Sequence, residues 1–159
     1  MNSSPKKIIS FVVCLAIPLL VGGIGSIFTS ASVDTWYTEI NKPGFTPPGF
    51  VFPVAWTILY LLMGYASWLI YISERGIKRN RALIWYGFQL AFNMLWSYLF
   101  FTLQSPALAL LEIHMLLVLI LITTNKFWKV NQTAAWLMVP YILWVSFATV
   151  LNGTIWWMN

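Results

Sequence analysis

Five runs of this 159-residue chain, at about 8–30, 51–73, 82–103, 106–125 and 133–157, are each long and apolar enough to cross the hydrocarbon of a bilayer. No other feature constrains the fold as strongly. In lipid every backbone N–H and C=O must be satisfied by protein, so a spanning segment is either a helix or a strand of a closed barrel. Barrel strands read as alternating apolar and polar positions over about 10 residues, and that pattern is absent. The sequence therefore predicts an all-α integral membrane protein, a five-helix transmembrane bundle forming one domain over residues 1–159. Only 8% of the residues are charged, against about 25% in a soluble domain.

The charges that remain predict an orientation. Lys6, Lys7, Arg75, Lys78, Arg79, Arg81, Lys126 and Lys129 fall on one side of such a bundle, and Lys42 alone on the other. The positive-inside rule then puts the N-terminus in the cytoplasm and the C-terminus outside, with a bacterial cytoplasmic membrane as the expected location. The net charge of +5 sits in short inter-helix loops, so it is an orientation signal and no nucleic-acid partner is expected. Lys6 and Lys7 precede the first run as in a signal peptide, but that run exceeds the 7–15 apolar residues of a cleavable core and is read as a retained span. Cys14 has no second cysteine to pair with and is read as a small buried apolar residue. One His and one Cys are too few for a multi-ligand metal site, which leaves a lone axial haem ligand as the remaining metal chemistry.

The first outer loop, about 31–50, is unusual. Its stretch WYTEINKPGFTPPGFVFPVAW packs prolines, glycines and aromatics into a connector that needs none of them merely to join two helices. Pro43, Pro47 and Pro48 forbid a continuous helix. The segment VDTWYTEI before them is expected to make one amphipathic turn with Trp36, Tyr37 and Ile40 on one side, and Pro53 falls near the first turn of the second span, where a missing N–H costs little. A stiff aromatic loop of this kind is either an interfacial anchor or a lid over a cavity. The second outer connection, around Gln104, Ser105 and Pro106, is barely a turn, with Ser105 and Pro106 suited to cap and start the fourth span.

Several residues inside the spans are out of place in oil. Trp56 and Tyr60 lie one turn apart in the outer half of the second span, with Met63 below. Gln89, Asn93, Trp96 and Phe100 form one stripe on the third. On the fifth, Pro140 interrupts the hydrogen-bond ladder before Tyr141, and Trp144, Phe147, Ala148 and Leu151 follow on one side. Mid-bilayer Trp and Asn carry N–H groups that lipid cannot satisfy, so they should face protein or a ligand. Asn93 and Gln89 serve equally as interhelical hydrogen-bond glue, and the tryptophans as packing. If the stripes converge, they wall a pocket for a flat hydrophobic ligand beneath the loop. Glu112 is the one acid well inside a span. It must be paired, protonated or facing a cavity, and structural pairing is preferred here over a proton relay. His114, two residues on, points about 200° away. Gly22, Gly25, Ser26 and Thr29 give the first span a small-residue face suited to close packing within or between chains.

The segments WYTEINKPGFTPP, FPVAWTILYLLMGYASWLIY, FNMLWSYLFF and AAWLMVPYILWVSFATVLN, in that order, resemble the tryptophan-rich sensory protein and translocator protein family (TspO/MBR), also called peripheral benzodiazepine receptors. The resemblance covers nearly the whole chain from Trp36. It implies a five-helix bundle, often a homodimer, that binds porphyrins and drug-like apolar molecules in an outer pocket closed by the first loop. By motif, the pocket residues it implies are Trp36, Tyr37, Pro47, Trp56, Asn93, Trp96, Trp144, Phe147 and Ala148, to which the stripes add Tyr60, Phe100 and Tyr141. Some bacterial members of the family are associated with light-dependent breakdown of protoporphyrin IX, and Trp56 and Trp144 match the tryptophans implicated. The family's sterol-associated motif near the end of helix five is missing, because ATVLNGTIWWMN holds no Tyr and no basic residue.

Three functions compete. A receptor or sensor would hold a protoporphyrin-like tetrapyrrole in the aromatic pocket, with no cofactor required. A transporter would carry such ligands, although no coupling-ion cluster accompanies Glu112 and an odd number of spans does not divide into inverted halves. An enzyme would oxidise the bound porphyrin as substrate under light, with Trp56 and Trp144 as its catalytic redox partners, since no metal or nucleophile constellation is available. The receptor is preferred.

Overall fold

The structure, a computed structural model, describes residues 5–159. It is helical, with no strand among those residues: α1 (Pro5–Ser30), α2 (Trp36–Glu39), α3 (Val51–Ile72), α4 (Ile77–Ser97), α5 (Pro106–Trp128) and α6 (Gln132–Met158), with a π-helical turn at Tyr98–Thr102 continuing α4. The helix α2 is the short turn within the first loop, and the other five make the bundle. Helices α1, α3, α5 and α6 are each long and apolar enough to cross a membrane. The fifth, α4, is more polar because Lys78, Arg79, Asn80 and Arg81 form its first turns and Gln89 and Asn93 lie within it. At 21 residues it runs about 31 Å before the π-turn. The helices pack side by side in the closed order α1, α3, α6, α5, α4.

Local chemistry sets the helix ends. The Ser105 hydroxyl accepts from the Leu108 N–H (3.4 Å) and Pro106 opens α5. Gln104 just before them takes a left-handed backbone conformation (φ 50°), which compresses the connection to a turn. Asn131 caps α6, its side chain accepting from the Ala134 N–H at 3.1 Å. Pro43, Pro47 and Pro48 hold the loop out of helix until Val51.

Helices α1 and α3 touch through glycine. A Cβ added at Gly64 would lie 2.9 Å from the Cys14 carbonyl oxygen and from the Leu15 Cα, and one added at Gly22 would run into the Tyr60 ring. A Cβ added at Gly25 would lie 3.4 Å from the Ser97 hydroxyl of α4. The small-residue face of α1 therefore serves packing within the chain at Gly22 and Gly25, whereas Ser26 is exposed and bonds the Gly23 carbonyl of its own helix (2.7 Å). Cys14, expected to be buried, is only half-buried beside this crossing.

The loop is tied down at several points at the end of the bundle that carries it. The buried Ser32 hydroxyl donates to the Phe101 carbonyl (2.6 Å), which lies within the π-turn, where i→i+4 partners are lost. The ammonium of Lys42 donates to the Tyr37 and Ile40 carbonyls at 2.5 and 3.2 Å, closing the C-terminal end of α2, and sits 4.7 Å from the centroid of the Tyr37 ring. Asn41 and Asn159 exchange hydrogen bonds: the Asn41 N–H donates to Oδ1 (2.9 Å) and Asn159 Nδ2 donates to the Asn41 carbonyl (3.0 Å). The middle of the loop is thus latched to the far end of α6.

Candidate ligand site

The tryptophans and tyrosines of α3, α4 and α6 meet around one amide. Tyr60 of α3 donates from its hydroxyl to Asn93 Oδ1 at 2.7 Å, and Asn93 Nδ2 donates to the Tyr141 hydroxyl of α6 at 2.9 Å. All three side chains are buried. In lipid no water is present to substitute for these bonds, so the amide must select the orientation of both phenols. Gln89, one turn away on the same stripe, is also fully buried. Its Nε2 lies 3.8 Å from the Met63 sulfur and its Oε1 has no partner among the described residues. Asn93 therefore does act as interhelical glue, while Gln89 does so only weakly.

Aromatic rings extend outward from this network in two groups. In the first, Trp56 stacks on Tyr60 (centroids 5.5 Å, interplanar 26°), stands edge-on to Tyr141 (6.1 Å) and meets Trp144 at 6.4 Å and 85°. Trp144 continues to Phe147 (5.8 Å) and to Phe52 (5.9 Å), and Ala148 packs against the same cluster. In the second, Trp96 stacks on Phe100 (5.0 Å, 21°), Phe100 meets Trp36 (5.6 Å) and Tyr37 (6.1 Å), and Tyr37 also meets Phe101 (5.6 Å). Trp36, Tyr37 and Ile40 all pack on this second group, as one amphipathic turn requires. Burial pushes the Tyr37 phenol above its ordinary pKa of 10.0, so a neutral ring faces the Lys42 ammonium. Trp96 packs against both groups and joins them on α4.

Pro47 does not touch the Asn93 network. It lines a groove between α3 and α6 together with Ala55, Ile58, Leu59, Pro140, Leu143, Trp144 and Phe147, a void of about 520 Å³. Ile58 (52% exposed) and Leu143 (66%) form its rim, so it opens sideways, toward where lipid would lie, and Trp144 and Phe147 line it on the side of the aromatic cluster. The stripes do converge, but tightly: the space among Trp56, Tyr60, Asn93 and Tyr141 is filled by their own contacts.

Two findings lay outside the sequence reading. Asn152, fully buried, accepts from the Trp96 indole N–H at 3.0 Å and donates to the Pro106 carbonyl at 2.9 Å, coupling α4, α6 and the start of α5. The signal was present: an amide one position beyond the Trp144 stripe, deep in an apolar run. The other is a correction. Glu112 was expected to be paired, yet it is buried with both carboxylate oxygens lacking any hydrogen-bond partner among the described residues. Its neighbours on α5, Ala109, Ile113 and Leu116, are all buried and apolar, and the basic residues lie in the polar ends and connections, out of its reach. His114 does face away, exposed, with Nδ1 2.6 Å from the Leu110 carbonyl.

Comparison with known proteins adds a second line of argument. A family profile described as the TspO/MBR family matches residues 14–158. A tryptophan-rich protein TspO of Chlorobaculum tepidum is 39% identical over 157 residues, covering 97% of this chain and 98% of its own. One from Archaeoglobus fulgidus is 37% identical over 154 residues, with 96% and 99% covered. The translocator protein of Homo sapiens is 33% identical over 136 residues, with 84% and 80% covered.

Proposed function

The chain belongs to the TspO/MBR family, and from that premise we propose that it is a membrane receptor or sensor for flat hydrophobic molecules of the tetrapyrrole class, with protoporphyrin IX as the test ligand. The observation that carries this reading is the Trp56–Trp144 contact at 6.4 Å, set beside the Tyr60–Asn93–Tyr141 network and beneath a latched, proline-stiffened loop. Large aromatic faces offer a planar ligand dispersion and stacking, and a few polar groups behind them fix its orientation. Trp96 commits its indole N–H to Asn152, while among the described residues no such bond holds Trp56 or Trp144, whose N–H groups remain free to donate to a ligand. Ligand entry requires the rings to part, since their contacts now fill the space.

The site proposed comprises Trp56, Tyr60, Asn93, Tyr141, Trp144, Phe147 and Ala148, with Trp96, Phe100, Trp36, Tyr37 and Pro47 as its loop-side wall. On the same reading the basic end of the bundle faces the cytoplasm of a prokaryotic cell and two copies associate in the membrane. Titration of purified protein with protoporphyrin IX in the dark tests the receptor reading, with quenching of tryptophan fluorescence as readout. Saturable quenching that Trp144→Phe weakens supports it. Absence of saturable quenching by the unaltered protein removes it. Illumination of the complex tests the catalytic alternative, in which Trp56 and Trp144 act as redox partners: bleaching of the porphyrin that depends on both indoles converts the receptor into an enzyme.

A further inference from the structure

The groove between α3 and α6 has a chemistry different from that of the aromatic site it adjoins. Apart from the Trp144 indole N–H the side chains that line it are apolar, from Ala55, Ile58 and Leu59 on one wall to Pro140, Leu143, Trp144 and Phe147 on the other, with Pro47 of the loop above. A porphyrin carries carboxylates that need donors, so this groove is unsuited as its resting place. It suits transit of a hydrophobic plate.

Two features favour opening at this crossing. Among the described residues no side-chain hydrogen bond runs directly from α3 to α6; their hydrogen-bonded link passes through Asn93 of α4, beside the ring contacts of Trp56 with Tyr141 and Trp144. Between helices in lipid there is no hydrophobic penalty for separation, because acyl chains solvate the exposed faces as well as leucine does. The walls are also thinned by sequence: Ala55 offers only a methyl group, and Pro140 cannot donate to the Trp136 carbonyl, so α6 lacks one rung of its ladder there. The loop end is the opposite case. The Asn41–Asn159 and Ser32–Phe101 bonds have to break before it lifts.

We infer that ligands dissolved in the bilayer enter sideways through this groove, between α3 and α6, and reach the aromatic site past Trp144 while the loop stays latched. The inference rests on the receptor reading above and names its route. Trp144 is the gate because it lines the groove and also meets Trp56 edge-on, so rotation of one indole connects the lipid with the ring cluster.

The test uses the full chain in phosphatidylcholine vesicles, with protoporphyrin IX introduced in the bilayer and quenching followed by stopped flow. Ala55→Phe fills the groove, and Leu143→Phe narrows its exposed rim without touching the core. Both are expected to slow association and dissociation on the order of tenfold while Kd changes little, since a barrier raised equally for both directions leaves equilibrium unmoved. Asn159→Ala, which frees the middle of the loop from the end of α6, should leave both rates as they are. Unchanged rates in both groove variants, or faster exchange in Asn159→Ala, overturn the route. A raised Kd at unchanged association rate places the ligand in the groove itself and overturns it equally. Failure of the unaltered protein to quench at all is a different result, and it removes the receptor reading.

Discussion

Asn93 donates from Nδ2 to the Tyr141 hydroxyl at 2.9 Å while its Oδ1 accepts the Tyr60 hydroxyl at 2.7 Å, so one amide joins three helices in the bundle interior. On sequence grounds Asn93→Ala would bind ligand less well and fold as before. The two bonds make it a stability variant as well, because both phenols are left without their partner. Its cost is expected at about 1–3 kcal/mol, read as a lowered unfolding temperature in detergent, together with weaker porphyrin quenching. Tyr60→Phe, which removes one bond only, should lose roughly half as much. Equal stability of Asn93→Ala and the parent would show that the network carries no load.

Gly22 of α1 and Gly64 of α3 lie at the same helix crossing, from opposite sides, and should fail differently. At Gly64 a Cβ meets backbone, the Cys14 carbonyl and the Leu15 Cα, each 2.9 Å away. Backbone cannot swing aside, so Gly64→Ala should cost about 1–3 kcal/mol without altering ligand affinity of the folded fraction. At Gly22 the obstacle is the Tyr60 ring. The ring can yield, but it carries its hydroxyl away from Asn93. Gly22→Ala should therefore show a loss of affinity out of proportion to its loss of stability. The same affinity in both variants would break the proposed link between α1 and the site.

Replacing Glu112 by Leu removes two buried oxygens that have no hydrogen-bond partner among the described residues. A hydrocarbon of similar size suits the surrounding Ala109, Ile113 and Leu116, so Glu112→Leu should stabilise the bundle by about 1–3 kcal/mol. Thermal unfolding decides it. A marked loss of stability would mean that the carboxyl has a partner after all.

Asn159→Ala removes both bonds that the side chain exchanges with Asn41 and one to the Ile155 carbonyl (2.8 Å). These groups are exposed, so the cost should be small, about 0.5–1.5 kcal/mol. The local effect should be larger: hydrogen exchange of the Asn41 amide and its neighbours accelerates while the helices keep their protection. Ser32→Ala, which breaks a buried bond to the π-turn, should loosen the start of the loop instead. Uniform exchange across residues 31–50 in both variants would show that the loop moves as one piece without separate anchors.

Much of this architecture was legible because lipid leaves a chain few choices. A run of about 20 apolar residues must be a helix, which is why the ends of α3 and α5 fall where Pro53, Ser105 and Pro106 suggested. The start of α4 was less legible. Lys78, Arg79, Asn80 and Arg81 are polar yet helical, so the helix begins at Ile77, before the apolar run that hydropathy marks from about 82. The amphipathic turn at Trp36–Glu39 was visible because its apolar residues share one side.

What the sequence determined by itself is the set of helices and which face of each carries the aromatic and amide groups, because period and hydropathy are local properties read along one chain. What only the tertiary structure decided is which of those groups find each other. Asn93 has two phenols as partners and Glu112 has none, Trp96 is spent on Asn152, and the void lies at the side of the bundle between α3 and α6. Partners and voids depend on the rotation of each helix against its neighbours. That rotation is set by close packing at points such as Gly22 and Gly64, where ångström-scale fit between distant residues selects one arrangement among several that the hydrophobic pattern alone would allow.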